Sequence, residues 1–400
     1  MMPSHLRIFL LSCILCTAHA KYKPTWESID SRPLPSWFDE SKIGIFLHWG
    51  VYSVPGLGEW FLERWTIKKS WKSFEVTHSY VTGGDQEAVD YMKRNYPPDF
   101  TYDDFASEFK ADLFSAREWA NIFLKSGAKL VSTYQPEIIW SDGDWEANAT
   151  YFSSLSFLSW LYNESPVRET VVTNDRWGQG TSCKHGGYYS CQDRYNPGIL
   201  QPHKWENAMT LDKGSWGFRR NASYRDYINI ETLLKTLAET LSCGGNLLVN
   251  IGPTSYGKIP PIGEEKLEQM GEWLKINGEG VYGSSPWIYQ NDTTNSDVWY
   301  TMKKEANDCP VYAYILKWPQ DGIISLGSPF ATNETTVQLL GFEEELKFDF
   351  SAGKQGIYVA FPNIGSVGKW AWMLKLTHLQ NGCHSGEPLS SEHQVVVHLI

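Results

Sequence analysis

Beyond its first twenty residues this 400-residue chain has no stretch approaching the ~18 apolar residues of a membrane helix. That excludes a helical span from the rest of the chain. It also has no Lys/Arg-rich run. A formal net charge of -11 and a pI near 5.4 leave no basic face for phosphates, which argues against nucleic acid as a partner. A nucleotide fingerprint is absent too, so no organic cofactor is implied. There is no internal repeat and no low-complexity linker, so the parts of the chain are expected to pack directly on one another.

Cysteines are few, seven in all, and two of them fall in the opening MMPSHLRIFLLSCILCTAHA. There Arg7 precedes an apolar run, Ile8 to Cys16, and the small-residue pattern Ala18-His19-Ala20. This reads as a cleaved secretory signal over residues 1–20, leaving a soluble chain without a membrane anchor, secreted or lysosomal. In that oxidising setting Cys183, Cys191, Cys243, Cys309 and Cys383 remain, an odd number that leaves a free thiol or an intermolecular bond. The loop SCKHGGYYSC favours a local disulfide between Cys183 and Cys191. His185 lies between them, but the spacing matches no strong zinc pattern and no metal is expected. Sequons at Asn148, Asn163, Asn221, Asn291 and Asn333 become glycosylation candidates.

The chain changes character near Gly283. Before it, apolar runs alternate with amphipathic helical segments: IGIFLHWG, SAREWANIFLKSGAK, EIIWSDG, ETVVTNDRWG, INIETLLKTLAETLSCGG and GNLLVNIGP. A capping box at Ser115 and Glu118 starts one helix and an N-cap at Asn229 another. Gly127 and the Gly244-Gly245 pair end them. Such alternation predicts an α/β domain over 21–283, with a parallel sheet and helices outside. After Gly283 seven short β-rich runs follow at turn-punctuated spacing, from DVWYTMKK to AWMLKLT, and predict an antiparallel β-sandwich over 284–400.

Several of the first strands end in chemically capable residues. EIIWSDGDWE delivers four acids and two tryptophans in ten positions. IFLHWG ends in His48 and Trp49, IIWSDG in Asp142, VVTNDRWG in Asn174 to Trp177, YYSCQDR in Asp193, and HKWEN carries Trp205 and Glu206. In a (β/α)₈ barrel such ends converge on one mouth. Each residue also has a plainer reading. Ser-Asp-Gly is good turn chemistry, His48 suits a satisfied core histidine, and Asp175 with Arg176 suits a structural ion pair. A carboxyl among aromatics, as at Glu206, is expected to have a raised pKa, as a general acid needs. Several carboxylates, aromatic walls and a secretory address together point to glycoside hydrolysis, which needs two placed carboxyl groups and no cofactor.

These residues resemble the α-L-fucosidases of glycoside hydrolase family 29, most closely the animal tissue and plasma type. The resemblance runs from PTWESID through FDESKIGIFLHWGVYSVP, IIWSDGDWE, VVTNDRWG, CKHGGYYSCQDRYNPG and GGNLLVNIGP to VWYT, nearly the whole mature chain. The signature P-x-x-L-x-x-x-K-W-E stands intact as Pro197, Leu200, Lys204, Trp205 and Glu206. It implies a (β/α)₈-like TIM barrel with a C-terminal β-sandwich, and a retaining exo-α-L-fucosidase acting on fucosylated glycans through a covalent fucosyl-enzyme ester. Asp142 matches the nucleophile. Asp193 and Glu206 compete as acid/base, with Asp193 favoured. His48, Glu59 and Trp60 match residues that hold the sugar, and Arg176 and Trp177 are expected to line the same pocket. Homo-oligomer formation stays open.

The chain departs from the family pattern between Val131 and Tyr134. Only Ser132 to Glu137 separate the apolar run Ala128–Val131 from Ile138–Trp140, whereas a parallel crossover needs a dozen or more residues. Family members have a Lys-His-His motif there, whose paired histidines bind fucose. Roughly two βα units, at ~30 residues each, are expected to be missing, giving an incomplete barrel and an inactive or truncated product as the alternative reading. A smaller departure is Ala208, where the signature carries Cys. Sequencing the transcript across the codons for Lys129 to Gln135 tests the gap: extra exons there mean an omitted segment, and an unbroken junction means a shortened chain.

Overall fold

A computed structural model describes residues 21–66, 85–127, 137–305, 308–350, 355–362 and 368–383. The expected signal segment and the junction from Val131 to Tyr134 lie outside the described residues. The first part holds strands β1 (Ile43–Leu47), β2 (Ile138–Ile139), β3 (Val172–Thr173), β4 (Trp205–Thr210) and β5 (Gly245–Ile251). Around them lie helices α1 (Trp26–Asp30), α2 (Ser36–Ser41), α3 (Phe61–Thr66), α4 (Gln86–Asn95), α5 (Ala116–Lys125), α6 (Ser154–Asn163), α7 (Ile230–Ser242) and α8 (Pro261–Asn277). Among the described residues no helix is long and apolar enough to cross a membrane.

Among the described residues the strands β1 to β5 pair only in parallel. β5 lies between β1 and β4, and β2 pairs with β3. The segment at Tyr188 and Tyr189 joins the two sheets: Tyr188 N donates to Thr173 O (3.0 Å), Tyr189 N to Lys204 O (2.9 Å), and Glu206 N to Tyr189 O (2.8 Å). The wall therefore runs β1, β5, β4, the 188–189 segment, β3 and β2, as the staves of a barrel do. Among the described residues no backbone hydrogen bond joins β1 to β2. The Phe46 and Trp140 rings approach there instead, with centroids 5.2 Å apart.

The two-residue period of the strands sorts their side chains. Ile43 and Leu47, Leu247, Val249 and Ile251, and Trp205 and Met209 point outward into the core shared with α5, α7 and α8. Phe46, Glu206, Thr210 and Asn250 take the opposite parity and face inward. Gly44 and Leu248 are register partners on β1 and β5, and a Cβ on Gly44 would lie 2.8 Å from Leu248 Cδ1. The helix signals act locally as expected. Ser115 Oγ accepts from Glu118 N (3.3 Å) and Asn229 Oδ1 from Thr232 N (2.9 Å). The reciprocal half of the predicted capping box is not made, because Glu118 pairs with Lys258 (2.8 Å).

Each of the seven β-rich runs contains a strand: β7 (Val298–Met302), β8 (Val311–Ile315), β9 (Ile323–Leu326), β10 (Thr336–Leu339), β11 (Phe348–Phe350), β12 (Ile357–Ala360) and β13 (Trp372–Thr377). The sequence reading missed β6 (Ser285–Asn291), where Pro286 and a register irregularity blur the strand pattern. Two antiparallel sheets result, β10-β13-β8-β7-β6 and β11-β12-β9. Their inner faces share one core that includes Trp287, Tyr300, Ile315, Ile324 and Val359.

The two parts are not separate cores. Tyr312, Tyr314, Ala371 and Met373 belong to the same cluster as Leu237 and Val249, and Trp273 Nε1 donates to Ala371 O (2.8 Å). On the surface the sequons differ. Asn148 and Asn333 are exposed, and Asn221 donates to Glu87 Oε1 (2.6 Å). Asn163 Nδ2 is held by Tyr22 O and Ser159 O (both 2.7 Å), and Asn291 Nδ2 by Val298 O (2.8 Å).

Asp292 organises the start of the sandwich. Its carboxylate accepts from Thr294 N and Oγ1, Asn295 N, Gly327 N, Ser328 N and the Tyr300 hydroxyl, at 2.7–3.1 Å. Burial alone would push this carboxyl up; the hydrogen bonds from Tyr300, Gly327 and Thr294 outweigh it and hold the carboxyl below its usual range. Asp292→Ala is expected to cost about 2–4 kcal/mol, read by urea unfolding. In the wild type this contribution is complete above the ordinary Asp value of ~3.9 and is lost as pH falls through the lower native value.

Candidate active site

Strand ends and the loops after them build one mouth. His48 follows β1, and its Nδ1 lies 2.7 Å from Asn250 Oδ1 on β5. Asn250 Nδ2 donates to Thr210 Oγ1 at the end of β4 (2.9 Å) and to Trp216 O (2.8 Å). A buried amide thus fixes His48 and the loop after β4 together. Glu59 holds the same loop from the other side: its Oε2 accepts from Ser215 Oγ (2.6 Å), Trp216 N (3.0 Å) and Gly217 N (2.8 Å). The Trp216 ring consequently stands 5.2 Å from the His48 ring.

Across the mouth, Asn174 at the end of β3 clamps Ser141. Its Oδ1 accepts from Ser141 N (3.0 Å) and Oγ (2.7 Å), and its Nδ2 donates to Ser141 O (2.7 Å). Asp142, the next residue, is left half-exposed at 49%. Arg176, only 7% exposed, donates through Nη1 to Asp142 (3.0 Å) and through Nη2 to Asp193 (2.8 Å), itself 47% exposed. One rigid guanidinium therefore sets the spacing of two carboxylates. Burial would lower the Arg176 pKa, but Asp193 and Asp142 outweigh it and raise it. Its Nε donates to Ser190 Oγ (3.2 Å) and its face lies 4.6 Å from the Trp140 ring centroid.

Asp175 does not pair with Arg176. Its carboxylate accepts from Cys183 N (2.7 Å), Cys191 N (3.0 Å), Ser190 N (2.9 Å) and Ser190 Oγ (2.6 Å), which fixes the loop closed by the Cys183–Cys191 disulfide. The three groups converge within 4.8 Å. Both sulfurs are bonded to each other and the carboxylate is occupied by four donors, so this cluster is not a metal-binding set. A second disulfide joins Cys309 to Cys383, and Cys243 is free and buried.

The model of the α-L-fucosidase family matches residues 10–132 and 129–279, and that of its C-terminal domain matches 290–377. The chain belongs to the α-L-fucosidase family. Among its relatives, the α-L-fucosidase of Branchiostoma floridae is 42% identical over 462 positions, covering 92% of this chain and 98% of that protein. Human plasma α-L-fucosidase is 43% identical, covering 91% and 94%, and human tissue α-L-fucosidase 37%, covering 89% and 92%. The alignment of 462 positions is longer than the chain's 400 residues, so the relatives carry residues with no counterpart here. The Thermotoga maritima α-fucosidase structure with a mechanism-based inhibitor superposes with a TM-score of 0.69 at 23% identity, covering 89% of this chain and 99% of that one. That likeness supports the barrel-plus-β-domain fold of this family of glycoside hydrolases.

Within this α-L-fucosidase fold the sequence-predicted residues separate. His48, Glu59, Asp142, Arg176 and Asp193 belong to the mouth, and Trp60 stands on its rim. Trp177 does not line it. Its ring packs into the cluster with Leu158 and Leu161, where Nε1 donates to Asn174 O (2.7 Å). Glu206 is 3% exposed and faces inward four residues before the end of β4, beneath the mouth, with Oε1 accepting from Trp140 Nε1 (2.9 Å). Sequence reasoning missed Asn250 and Trp216 as parts of the site. The signal for the first was a polar residue at an inward position of the otherwise apolar GNLLVNI.

Desolvation pushes the Glu206 carboxyl up to about 7, partly offset by the Trp140 hydrogen bond and by Arg176. The native protein therefore keeps a proton that the unfolded chain releases above the ordinary Glu value of ~4.3. Stability is expected to fall by on the order of 3 kcal/mol as pH rises from ~4.3 to 7, and to level off beyond. Thermal unfolding as a function of pH checks this: Glu206→Gln should flatten that slope.

Proposed function

We propose that the chain is a retaining exo-α-L-fucosidase that removes terminal fucose from glycoprotein glycans. The observation that carries this is the pair Asp142 and Asp193 on one guanidinium, at 3.0 and 2.8 Å from Nη1 and Nη2; retention needs two carboxyl groups ~5–5.5 Å apart. Asp142 attacks the anomeric carbon while Asp193 gives its proton to the departing glycosidic oxygen. A fucosyl ester on Asp142 results. Asp193, now ionised, takes a proton from water as that water attacks the anomeric carbon, and Asp142 leaves as a carboxylate. His48, Glu59, Trp60 and Arg176 hold the sugar, and Glu206 takes no part in proton transfer.

The proposal includes a leader over 1–20, a barrel over 21–283 and a sandwich over 284–400, in a secreted or lysosomal protein. The free surface at Asn148 and Asn333 suits glycans better than the committed amides of Asn163 and Asn291. A second reading is a shortened, inactive member with at most residual sugar binding. It is favoured by the family match, which comes in two pieces meeting at residues 129–132, and by the missing histidine pair.

Hydrolysis of a chromogenic α-L-fucoside tests both. The first reading expects turnover that Asp142→Ala reduces by ~10³-fold or more, with Glu206→Gln retaining more activity than Asp193→Ala. Wild-type protein without turnover selects the second reading, and full activity in Asp142→Ala overturns the assignment.

A further inference from the structure

Two tryptophans at the active-site rim are left in water. Trp145 is 51% and Trp60 49% exposed, with ring centroids 6.5 Å apart and planes at 47°. Both sit on tied-down backbone. Trp60 follows Glu59, which is bonded to the 215–217 loop. The turn carrying Trp145 is fastened to the next loop by three hydrogen bonds: Gln179 Nε2 to Trp145 O (3.0 Å), Ser182 Oγ to Asp144 Oδ2 (2.8 Å) and Gln179 N to Ala147 O (2.8 Å). The indole N–H is occupied by Glu146 Oε1 (2.9 Å). What remains free is the flat ring, three residues from Asp142.

A held aromatic face costs little entropy to use as a contact surface. Its geometry also limits how it is used. A pyranose sandwiched flat between two rings needs ~3.5–4.0 Å on each side, more than a 6.5 Å wedge offers. A sugar therefore lies on one face of Trp145 rather than between the two rings. Indole has no charge to read, so the surface suits the C–H face of a neutral hexopyranose.

Resting on the fucosidase reading, we propose that Trp145 is the platform for the sugar to which the fucose is attached, the first residue on the leaving side of the scissile bond. The test compares two donors, fucosyllactose and α-L-fucosyl fluoride, whose one-atom leaving group cannot reach the indole. Trp145→Ala should lower the ratio of kcat/KM for fucosyllactose to that for the fluoride by ~3- to 10-fold, and Trp145→Phe by less. Equal losses on both donors, or no change in the ratio, overturn the platform. If the wild type hydrolyses neither donor, the fucosidase reading fails and titration calorimetry with fucosyllactose decides the platform alone. Binding that weakens in Trp145→Ala supports it, and absent or equal binding overturns it.

Discussion

The Arg176 guanidinium is the contact on which the site depends. A cation with so little exposure is costly to keep ionised unless every donor direction finds a partner. Here Nη1 and Nη2 meet Asp142 and Asp193, Nε meets Ser190, and the face meets Trp140. Asp142 follows β2 and Asp193 follows the 188–189 segment, so their relative placement is not a local property of either. It is set by one side chain between them, and that side chain is aimed by Ser190, which Asp175 and the Cys183–Cys191 loop hold in turn.

The same arrangement separates depth from chemistry. Asp193 reaches the mouth from a loop, half-exposed to solvent. Glu206 reaches inward from within a strand, under an indole, where water is excluded. A carboxyl in that position favours the protonated state through desolvation, the behaviour expected of a general acid, yet its contacts are those of a support for Trp140. Perturbed titration and catalytic duty need not coincide.

This also explains which parts of the molecule were legible in its residues. The sandwich strands announce themselves through short β-rich runs bounded by turns, and only β6, interrupted by Pro286, escapes. The mouth was legible where polar residues follow apolar strands, as at His48 and Asp142. Arg176 and Trp177 are neighbours in sequence and opposites in space, and they lie in the loop after β3, where no strand period says which of them faces the mouth. Glu206 had the right parity, but its height along β4 depends on register with β5. The link between β3 and β4 through Tyr188 and Tyr189 is too brief to leave a strand pattern.

Trp273 hydrogen-bonds across to Ala371, and Tyr312, Tyr314 and Met373 pack into the cluster that backs β5. The sandwich therefore supplies part of the inner lining of its neighbour's core. A cut between the two parts would not release a free-standing hydrolase and a free-standing β-domain; it would leave two half-cores facing water. The strand that carries Asn250, and through it His48, is held from behind by residues of the sandwich. Changes in the sandwich core can therefore reach the mouth as small shifts in the backing of β5, without any change in the residues that touch substrate.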